Sequence, residues 1–279
     1  MFKKIKSLLE EVKAVSTKLV FLETENYLQN HLYNNPKYRD SKRLARYEYK
    51  GFSQHGEDGI IEEIFRRIGT TSPFFVEFGC GKHGTENNTL LLLLRGWKGC
   101  WMEGNPVYVK RISEKFKKSI EKKDLSVHAA FISAENINSV FAKCGIPKEF
   151  DLLSIDVDGN DYWLWKALTD FSPRVVVIEY NAVFPPSMKW VMKYDPDFRW
   201  DGSSHFGASL KSLEILAGQR GYALVGCDFS GVNAFFVRED LAQKHFLAPF
   251  TAENHYEPPR YFLERHQGHP RNFGEFENL

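Results

Sequence analysis

The chain has 279 residues, of which 43% are hydrophobic, and its formal net charge is +1. This composition excludes global disorder and supplies no basic field for nucleic acid, so we expect one large domain with appendages. Four scattered cysteines without a C-x-x-C pair, and apolar runs too short to cross a bilayer, predict a soluble cytoplasmic protein with no membrane span and no structural zinc.

Residues 1–50 predict an N-terminal helical extension. Within residues 2–30, apolar side chains recur at spacings of three and four, at Ile5, Leu8, Val12, Val15, Leu19 and Leu22. This pattern is typical of a coiled-coil seam, although it lasts for fewer than three heptads. Two interpretations stay open. The helix is either a solvated element packed on the domain, or an arm that forms a homodimer or contacts an acidic surface or a membrane.

Residues 51–245 alternate between predicted strands and helices. The strands are 74–78, 99–103, 127–132, 152–157 and 174–180, and the helices are 59–68, 88–94, 109–122, 137–143, 162–168 and 207–220. Two more strands, 222–226 and 234–238, predict an antiparallel hairpin. Continuous apolar strands suit a parallel sheet covered on both faces. The pattern therefore predicts a Rossmann-like, doubly wound α/β domain, followed by a tail over 246–279.

A glycine-rich loop follows the first predicted strand. Gly79, Gly81 and Gly84 fit the spacing G-x-G-x-x-G, which lets the backbone approach a ligand closely. Glu77 precedes the loop by two residues, and Glu103 ends the next strand, where a carboxylate can accept both ribose hydroxyls. The glycines alone do not choose between nucleotide cofactors, so an NAD-dependent oxidoreductase stays an alternative. For Glu103 the alternative is an exposed loop acid.

Acidic residues end the fourth and fifth predicted strands. Asp156, Asp158 and Asp161 follow the fourth, and Glu179 and Asn181 follow the fifth. The carboxyl ends of neighbouring parallel strands meet at the edge where ligands bind. Asp156 and Asp158 are therefore candidates for positioning or deprotonating an acceptor. Asp156, Glu179 and Asn181 are candidate ligands for Mg²⁺ or Mn²⁺. Capping of the next helix is the alternative role for Asp161.

Four segments carry a family resemblance. Val76-Glu-Phe-Gly-Cys-Gly81 resembles motif I of class I S-adenosylmethionine-dependent methyltransferases. Phe52-Ser-Gln-His-Gly-Glu-Asp58, Gly96-Trp-Lys-Gly99 and Ser154-Ile-Asp-Val-Asp-Gly159 resemble the FkbM-like members of that class. The resemblance implies a seven-stranded sheet whose last strand is antiparallel, with S-adenosylmethionine as cofactor. It also implies O-methylation of a sugar, a glycan precursor or a related small molecule.

The resemblance further implies which residues hold the cofactor. In the family, the glycine loop holds the amino-acid part and the acid after the second strand holds the ribose. The expected cofactor residues are Gln54, Glu77, Gly79, Cys80, Gly81, Asn88, Glu103, Asn105, Ala130, Phe131 and Asp156. Many class I enzymes carry an acid for the adenine amine after the third strand. Ala130 and Phe131 stand there instead, which favours apolar contact with adenine.

Residues 182–206 form a long insertion after the fifth strand, and loops of this length are usually functional or disordered. A stacking platform for a sugar and a clamp for an acidic group could be formed by Trp190, Tyr194, Arg199 and Trp200, although a self-packed surface loop is the alternative. His55, His83 and His205 are candidate catalytic bases. An N-methyltransferase and a non-catalytic cofactor-binding protein stay open as alternative functions. The N-methylation of nucleobases is disfavoured, because Asp156-Val-Asp-Gly159 replaces the Asp/Asn-Pro-Pro-Tyr/Phe of base aminomethyltransferases.

Overall fold

The fold is built around one mixed β-sheet. The computed structural model describes residues 2–263, where the strands are β1 (Phe74–Phe78), β2 (Lys98–Glu103), β3 (Leu125–Ala129), β4 (Glu149–Ile155), β5 (Ser172–Glu179), β6 (Tyr222–Cys227) and β7 (Asn233–Arg238). Their order is β3-β2-β1-β4-β5-β7-β6, and β7 runs antiparallel to both neighbours. This confirms the predicted doubly wound sheet with its terminal hairpin, in the seven-stranded layout that the class I methyltransferase resemblance implied.

The described residues form ten α-helices, most of which cover one face of the sheet or the other. They are α1 (Phe2–Leu28), α2 (Glu57–Ile68), α3 (Leu90–Leu94), α4 (Pro106–Lys115), α5 (Lys117–Glu121), α6 (Ile137–Lys143), α7 (Asp161–Ala167), α8 (Leu210–Gln219), α9 (Glu239–Ala242) and α10 (Ala252–His255). Among the described residues, no helix is both long and apolar enough to cross a membrane. The predicted tail is described as far as Leu263, and residues 264–279 of it lie outside the described part.

The sheet separates two hydrophobic cores, because successive strand side chains point to opposite faces. Val76 and Leu153 face a core that also includes side chains of α6, α7 and α8. Phe75 and Leu152 face a second core, with side chains of α2, α3 and α4. All four side chains are fully buried. The near-continuous apolar strands are thus explained by helices on both sides of the sheet.

A buried ion pair fixes the amino-terminal end of the sheet. Arg174 Nη1 lies 2.7 Å from Asp151 Oδ1, and both side chains are almost fully buried. The Asp151 carboxylate also accepts the backbone N–H groups of Thr71 and Ser72. The Arg174 guanidinium donates to the carbonyl oxygens of Ile68 and Gly69. These contacts join β4 and β5 to the end of α2, at the edge opposite to the glycine loop.

Several predicted boundaries differ from the structure, and strand pairing and helix capping explain the clearest cases. The strand predicted over 127–132 ends at Ala129, because its partner β2 ends at Glu103 in the same register. The helix predicted over 109–122 begins earlier, at Pro106, after Asn105 caps it by accepting the Val107 N–H at 2.9 Å. That helix is also interrupted, since Phe116 separates α4 from α5.

Candidate functional site

A cleft of about 350 Å³ opens at the carboxyl end of β1. Most of its lining belongs to the loop between β1 and α3, and Asp156 approaches from the end of β4. Seven of the residues expected to bind the cofactor line this cleft: Gln54, Glu77, Gly79, Cys80, Gly81, Asn88 and Asp156. The structure thus gathers these residues at the edge of the sheet where ligands bind in doubly wound folds.

Glu77 ties the glycine loop back onto its own strand. Its Oε1 accepts the Asn88 N–H at 2.9 Å, and its Oε2 accepts the Thr89 N–H at 3.2 Å. The Thr89 hydroxyl donates to the same carboxylate and accepts the indole N–H of Trp101. Burial raises the pKa of Glu77 to about 7, even though these hydrogen bonds act in the opposite direction. Residues 79–87 are therefore closed into a loop held at both ends.

Two glycines of the loop have different reasons to be glycine. Gly79 has φ of +83°, and a Cβ there would lie 1.6 Å from the carbonyl oxygen of Asp156. The backbones of β1 and β4 therefore touch at this point. Gly81 has φ of +59°, and a Cβ there would meet no atom within 4 Å. Gly79 is required by packing within the protein, whereas Gly81 faces the open cleft.

Glu57 and Asn233 also line the cleft and are not among the site residues predicted from the sequence. Glu57 accepts the His55 backbone N–H at 2.7 Å and the Asn233 amide at 2.8 Å. The Oδ1 atom of Asn233 is buried and has no hydrogen-bond partner among the described residues. Glu57 lies in the conspicuous segment Phe52–Asp58, so a polar side chain in that motif was a usable signal. Nothing local marks Asn233, which begins β7.

Three carboxylates converge beside the cleft. One ligand oxygen from each of Asp156, Asp161 and Glu179 lies within 4.8 Å of the others. Burial, followed by the neighbouring carboxylates, raises the pKa of Asp156 and of Glu179 well above the usual range. Burial also raises the pKa of Asp161 to about 6. The Oε2 atom of Glu179 is buried without a hydrogen-bond partner in the part of the chain that is described.

The third expected metal ligand, Asn181, uses its side chain in hydrogen bonds to the insertion. The Asn181 amide donates to the carbonyl oxygens of Ser204 and Phe206, and its Oδ1 accepts the Val183 N–H. Its side chain therefore anchors the insertion after β5. Asp161 takes its place in the cluster, although both of its oxygens also accept backbone N–H groups from the turn before α7.

The insertion folds over the end of β4. The Phe198 ring packs against Gly159, where an added Cβ would lie only 2.6 Å from the ring. The Arg199 guanidinium stacks over the Phe131 ring at 4.6 Å. The Trp163 indole donates to the carbonyl oxygen of Met192 at 2.8 Å. These contacts hold the insertion next to the carboxylate cluster, while Trp190 and Trp200 stay half exposed.

The expected ribose and adenine contacts lie beyond the cleft lining. Glu103 ends β2 beside the start of the glycine loop, because Gly79 donates to the carbonyl oxygen of Met102. The Glu103 Oε1 atom accepts the Asn105 N–H at 2.8 Å. Phe131 lies against Gly104, directly after Glu103. Ala130 donates its N–H to the Glu103 carbonyl. A half-exposed ring and a carboxylate thus adjoin at the end of β2.

Three of the catalytic candidates lie apart from the cleft lining. Asp158 is exposed, with φ of +58° in the turn after β4. His55 is buried, and its backbone N–H is bonded to Glu57. His205 is exposed on the insertion, with its ring near Phe198. Of the named candidates for acid–base work, Asp156 and His83 line the cleft.

No protein-family model and no curated protein matches the chain. Its fold is similar to an O-methyltransferase from Bacillus cereus in complex with S-adenosylhomocysteine, with 15% identity, 76% of this chain and 88% of that chain covered, and a TM-score of 0.42. The N-terminal domain of EvdMO1 with S-adenosylhomocysteine bound is 15% identical, with 66% of this chain and 83% of that chain covered and a TM-score of 0.39. An S-adenosylmethionine-dependent methyltransferase from Clostridium acetobutylicum is 13% identical, with 65% of this chain and 89% of that chain covered and a TM-score of 0.40. Similarities this distant carry no argument about the reaction.

Proposed function

We propose that the chain is an S-adenosylmethionine-dependent methyltransferase. One observation carries this: the Glu77 carboxylate accepts the N–H groups of Asn88 and Thr89, just before α3. In dinucleotide-binding sheets, the pyrophosphate sits at the N–H groups of this helix start. Here a carboxylate already holds them, and Glu57 and Asp156 add further acidic groups to the cleft. A pyrophosphate bound here would therefore meet carboxylates, and the backbone N–H groups that it needs as hydrogen-bond donors would already be occupied.

An acidic cleft suits a cationic ligand, and S-adenosylmethionine carries an ammonium and a sulfonium group. The Oδ1 atom of Asn233, which no described residue bonds, offers an acceptor for ammonium protons, since a buried acceptor without a partner is otherwise costly. The open side of Gly81 leaves room for the ligand next to the backbone. The cleft lining contains four acidic residues, Glu57, Glu77, Glu86 and Asp156, and one lysine, Lys82.

The cofactor supplies an electrophilic methyl group on sulfur, and the chain aligns the acceptor and takes its proton. Asp156 suits this role because it lines the cleft and also belongs to the carboxylate cluster. The raised pKa of Asp156 means that its carboxylate holds a proton more tightly than an exposed one. A stronger base is what the deprotonation of a hydroxyl requires.

The carboxylate cluster also fits a divalent cation. Three crowded carboxylates repel one another unless a proton or a cation is shared between them. The Oε2 atom of Glu179, which has no hydrogen-bond partner within residues 2–263, is an acceptor beside Asp156 and Asp161. Hard oxygen ligands of this kind suit Mg²⁺ or Mn²⁺, and a bound cation would help to ionise an acceptor hydroxyl. Asn181 is left out of this ligand set, because its side chain anchors the insertion.

The acceptor that we propose is a hydroxyl of a sugar, a glycan precursor or a related small molecule. The FkbM-like resemblance supports this class. So do the half-exposed rings of Trp190 and Trp200, since flat aromatic faces stack on the apolar faces of sugars. The contact of Phe198 with Gly159 ties the same insertion to the turn after β4, near the carboxylates.

Titration calorimetry tests the cofactor. We expect S-adenosylhomocysteine to bind and NADH not to bind. Glu103 is the carboxylate expected to accept the ribose hydroxyls. Its replacement in Glu103→Gln should therefore weaken S-adenosylhomocysteine binding about 10- to 100-fold, as for one charged hydrogen bond of about 1.5 to 3 kcal/mol. Glu114→Gln, which changes an exposed acid on α4, is the matched control and should bind normally. Preferential binding of NADH would refute the proposal.

Transfer of a labelled methyl group to free sugars and sugar nucleotides tests the chemistry. We expect Asp156→Asn to keep S-adenosylhomocysteine binding within a few-fold while methyl transfer falls at least 100-fold. Methyl transfer by the unaltered protein should also fall when EDTA replaces Mg²⁺. Full activity in EDTA would remove the cation from the proposal and leave Asp156 as the base. Full activity of Asp156→Asn would contradict the role given to this carboxylate.

A further inference from the structure

Helix α1 leaves a long apolar stripe in solvent. On the other side of the helix, Thr24 is buried and Val20 and Phe21 are half-buried. The stripe spans about 25 Å, at 1.5 Å per residue, which is more apolar surface than a soluble helix keeps without a partner. We call it the seam, and its members, each 47 to 61% exposed, are Ile5, Leu8, Val12, Val15, Leu19 and Leu22.

The spacing of the seam identifies the kind of partner. Ile5, Val12 and Leu19 occupy a positions of a heptad, and the other three occupy d positions. A period of 3.5 residues fits a second helix with the same period. A lipid surface fits less well, because anionic membranes select a basic polar face. Helix α1 (Phe2–Leu28) carries five lysines against four glutamates, so its net charge is close to zero.

We propose that the seam pairs with the seam of a second copy of this chain, in antiparallel orientation. The charges beside the seam carry the orientation. The g positions read Lys4, Glu11, Lys18 and Glu25, all exposed. In an antiparallel pair with matched seams, g positions face g positions. Glu11 then faces Lys18 of the partner subunit, and Lys4 faces Glu25 of the partner subunit.

A parallel pair would use the same charges less well. There, each g position faces the e position five residues later in the other chain. Lys4 would face a leucine and Glu11 a serine, so that Lys18 opposite Glu23 is the remaining pair of opposite charge. The two-fold axis doubles these numbers, giving four opposite-charge contacts in the antiparallel dimer and two in the parallel dimer. The antiparallel dimer also carries the two α/β bodies at opposite ends of the helix pair.

Sedimentation of the full chain at several concentrations tests the pairing. We expect a monomer–dimer equilibrium, and Val12→Asp should weaken dimerisation at least 10-fold by placing a charge in the seam. The matched control is Ala14→Asp, outside the seam on the same helix, which should leave the dimer intact. S-adenosylhomocysteine binding should be equal in all of these proteins, which shows that the body is folded.

Charge exchange tests the orientation. Glu11→Lys and Lys18→Glu should each weaken the dimer, and the two together should restore it, because these residues face each other in the antiparallel pair. In a parallel pair the double variant would stay weak, since Lys18→Glu would set a second negative charge opposite Glu23. A monomer at all concentrations, or a dimer insensitive to Val12→Asp, would overturn the proposal. Binding of the monomer to anionic vesicles would assign the seam to a lipid surface instead.

A separate observation concerns three side chains beneath α6. Cys100 lies in β2, His128 in β3, and Cys144 directly after α6, and a ligand atom of each lies within 4.8 Å of the others. Cys100 is fully buried and the other two are half-buried. The Nε2 atom of His128 is buried and lacks a hydrogen-bond partner in the described part of the chain. The absence of a C-x-x-C pair had argued against zinc, but here the three elements supply the ligands separately.

We infer that Cys100, His128 and Cys144 bind a zinc ion that joins β2, β3 and α6. Two thiolates and an imidazole are the ligands that Zn²⁺ prefers, with water as the fourth ligand. Zinc bonds of about 2.0 to 2.3 Å place tetrahedral ligand atoms about 3.5 to 3.8 Å apart, so closing the site takes a shift of at most about 1 Å. The site lies on the strands that carry Glu103 and Phe131 to their places.

Cobalt titration of the reduced full-length protein tests this site, because Co²⁺ gives a thiolate charge-transfer band when it replaces zinc. We expect about one equivalent to bind, and both Cys144→Ser and His128→Ala should lose the band. Cys227→Ser changes a cysteine buried elsewhere and should keep it. Absence of the band in the unaltered protein would overturn the inference. So would thiol counting that finds Cys100 and Cys144 joined as a disulfide in the purified protein.

Discussion

Replacing Gly79 and Gly81 by alanine, one at a time, tests the geometry of the glycine loop. Both residues have positive φ, so an alanine at either place costs about 1 to 2 kcal/mol. At Gly79 the new Cβ would also lie 1.6 Å from the carbonyl oxygen of Asp156, so the ends of β1 and β4 must separate by about 1.5 Å. We expect Gly79→Ala to lower the free energy of unfolding by about 2 to 5 kcal/mol.

At Gly81 an added Cβ meets nothing within 4 Å, so Gly81→Ala should lose about 1 to 2 kcal/mol. Urea unfolding followed by circular dichroism measures both losses on the same scale. In calorimetry with S-adenosylhomocysteine, Gly81→Ala should lose more binding affinity than its small loss of stability suggests. The reason is that the added methyl group enters the cleft while the fold stays intact. Equal destabilisation by the two substitutions would refute the close approach of β1 and β4.

Three further predictions concern other parts of the chain. Because burial raises the pKa of Glu77 to about 7, its protonated form favours folding. The contribution of Glu77 to the free energy of unfolding is complete below about pH 4 and should fall by about 3 kcal/mol as the pH rises through 7. The urea midpoint of Glu77→Gln should therefore depend less on pH than that of the unaltered protein. Asp151→Ala leaves Arg174 buried without its carboxylate partner and should lower the free energy of unfolding by about 3 to 5 kcal/mol. The double variant with Arg174→Met should recover most of this loss, because it removes the unpaired charge as well. Gly159→Ala pushes a methyl group into Phe198, so trypsin should cleave the insertion faster while S-adenosylhomocysteine binding stays unchanged; an unchanged cleavage rate would contradict this contact.

Local sequence patterns were sufficient to predict the doubly wound sheet and its ligand edge. Apolar runs bounded by turns predict strands, and the terminal pair 222–226 and 234–238 predicts the antiparallel hairpin that the structure confirms. The glycine spacing predicts a ligand loop after β1, because a loop of this kind depends on residues close together in the chain. The cleft forms at this place, with Glu77 and Asp156 in its lining.

Tertiary structure alone decided which side chains meet. Asn181 follows β5 as the metal prediction required, yet its amide bonds to the backbone of the insertion, and Asp161 joins Asp156 instead. Asn233 reaches the cleft because β7 inserts between β5 and β6, a strand order that no local pattern specifies. Hydrogen bonds and close contacts between distant residues depend on loop paths and side-chain rotamers. Periodicity in the sequence records burial and does not record these.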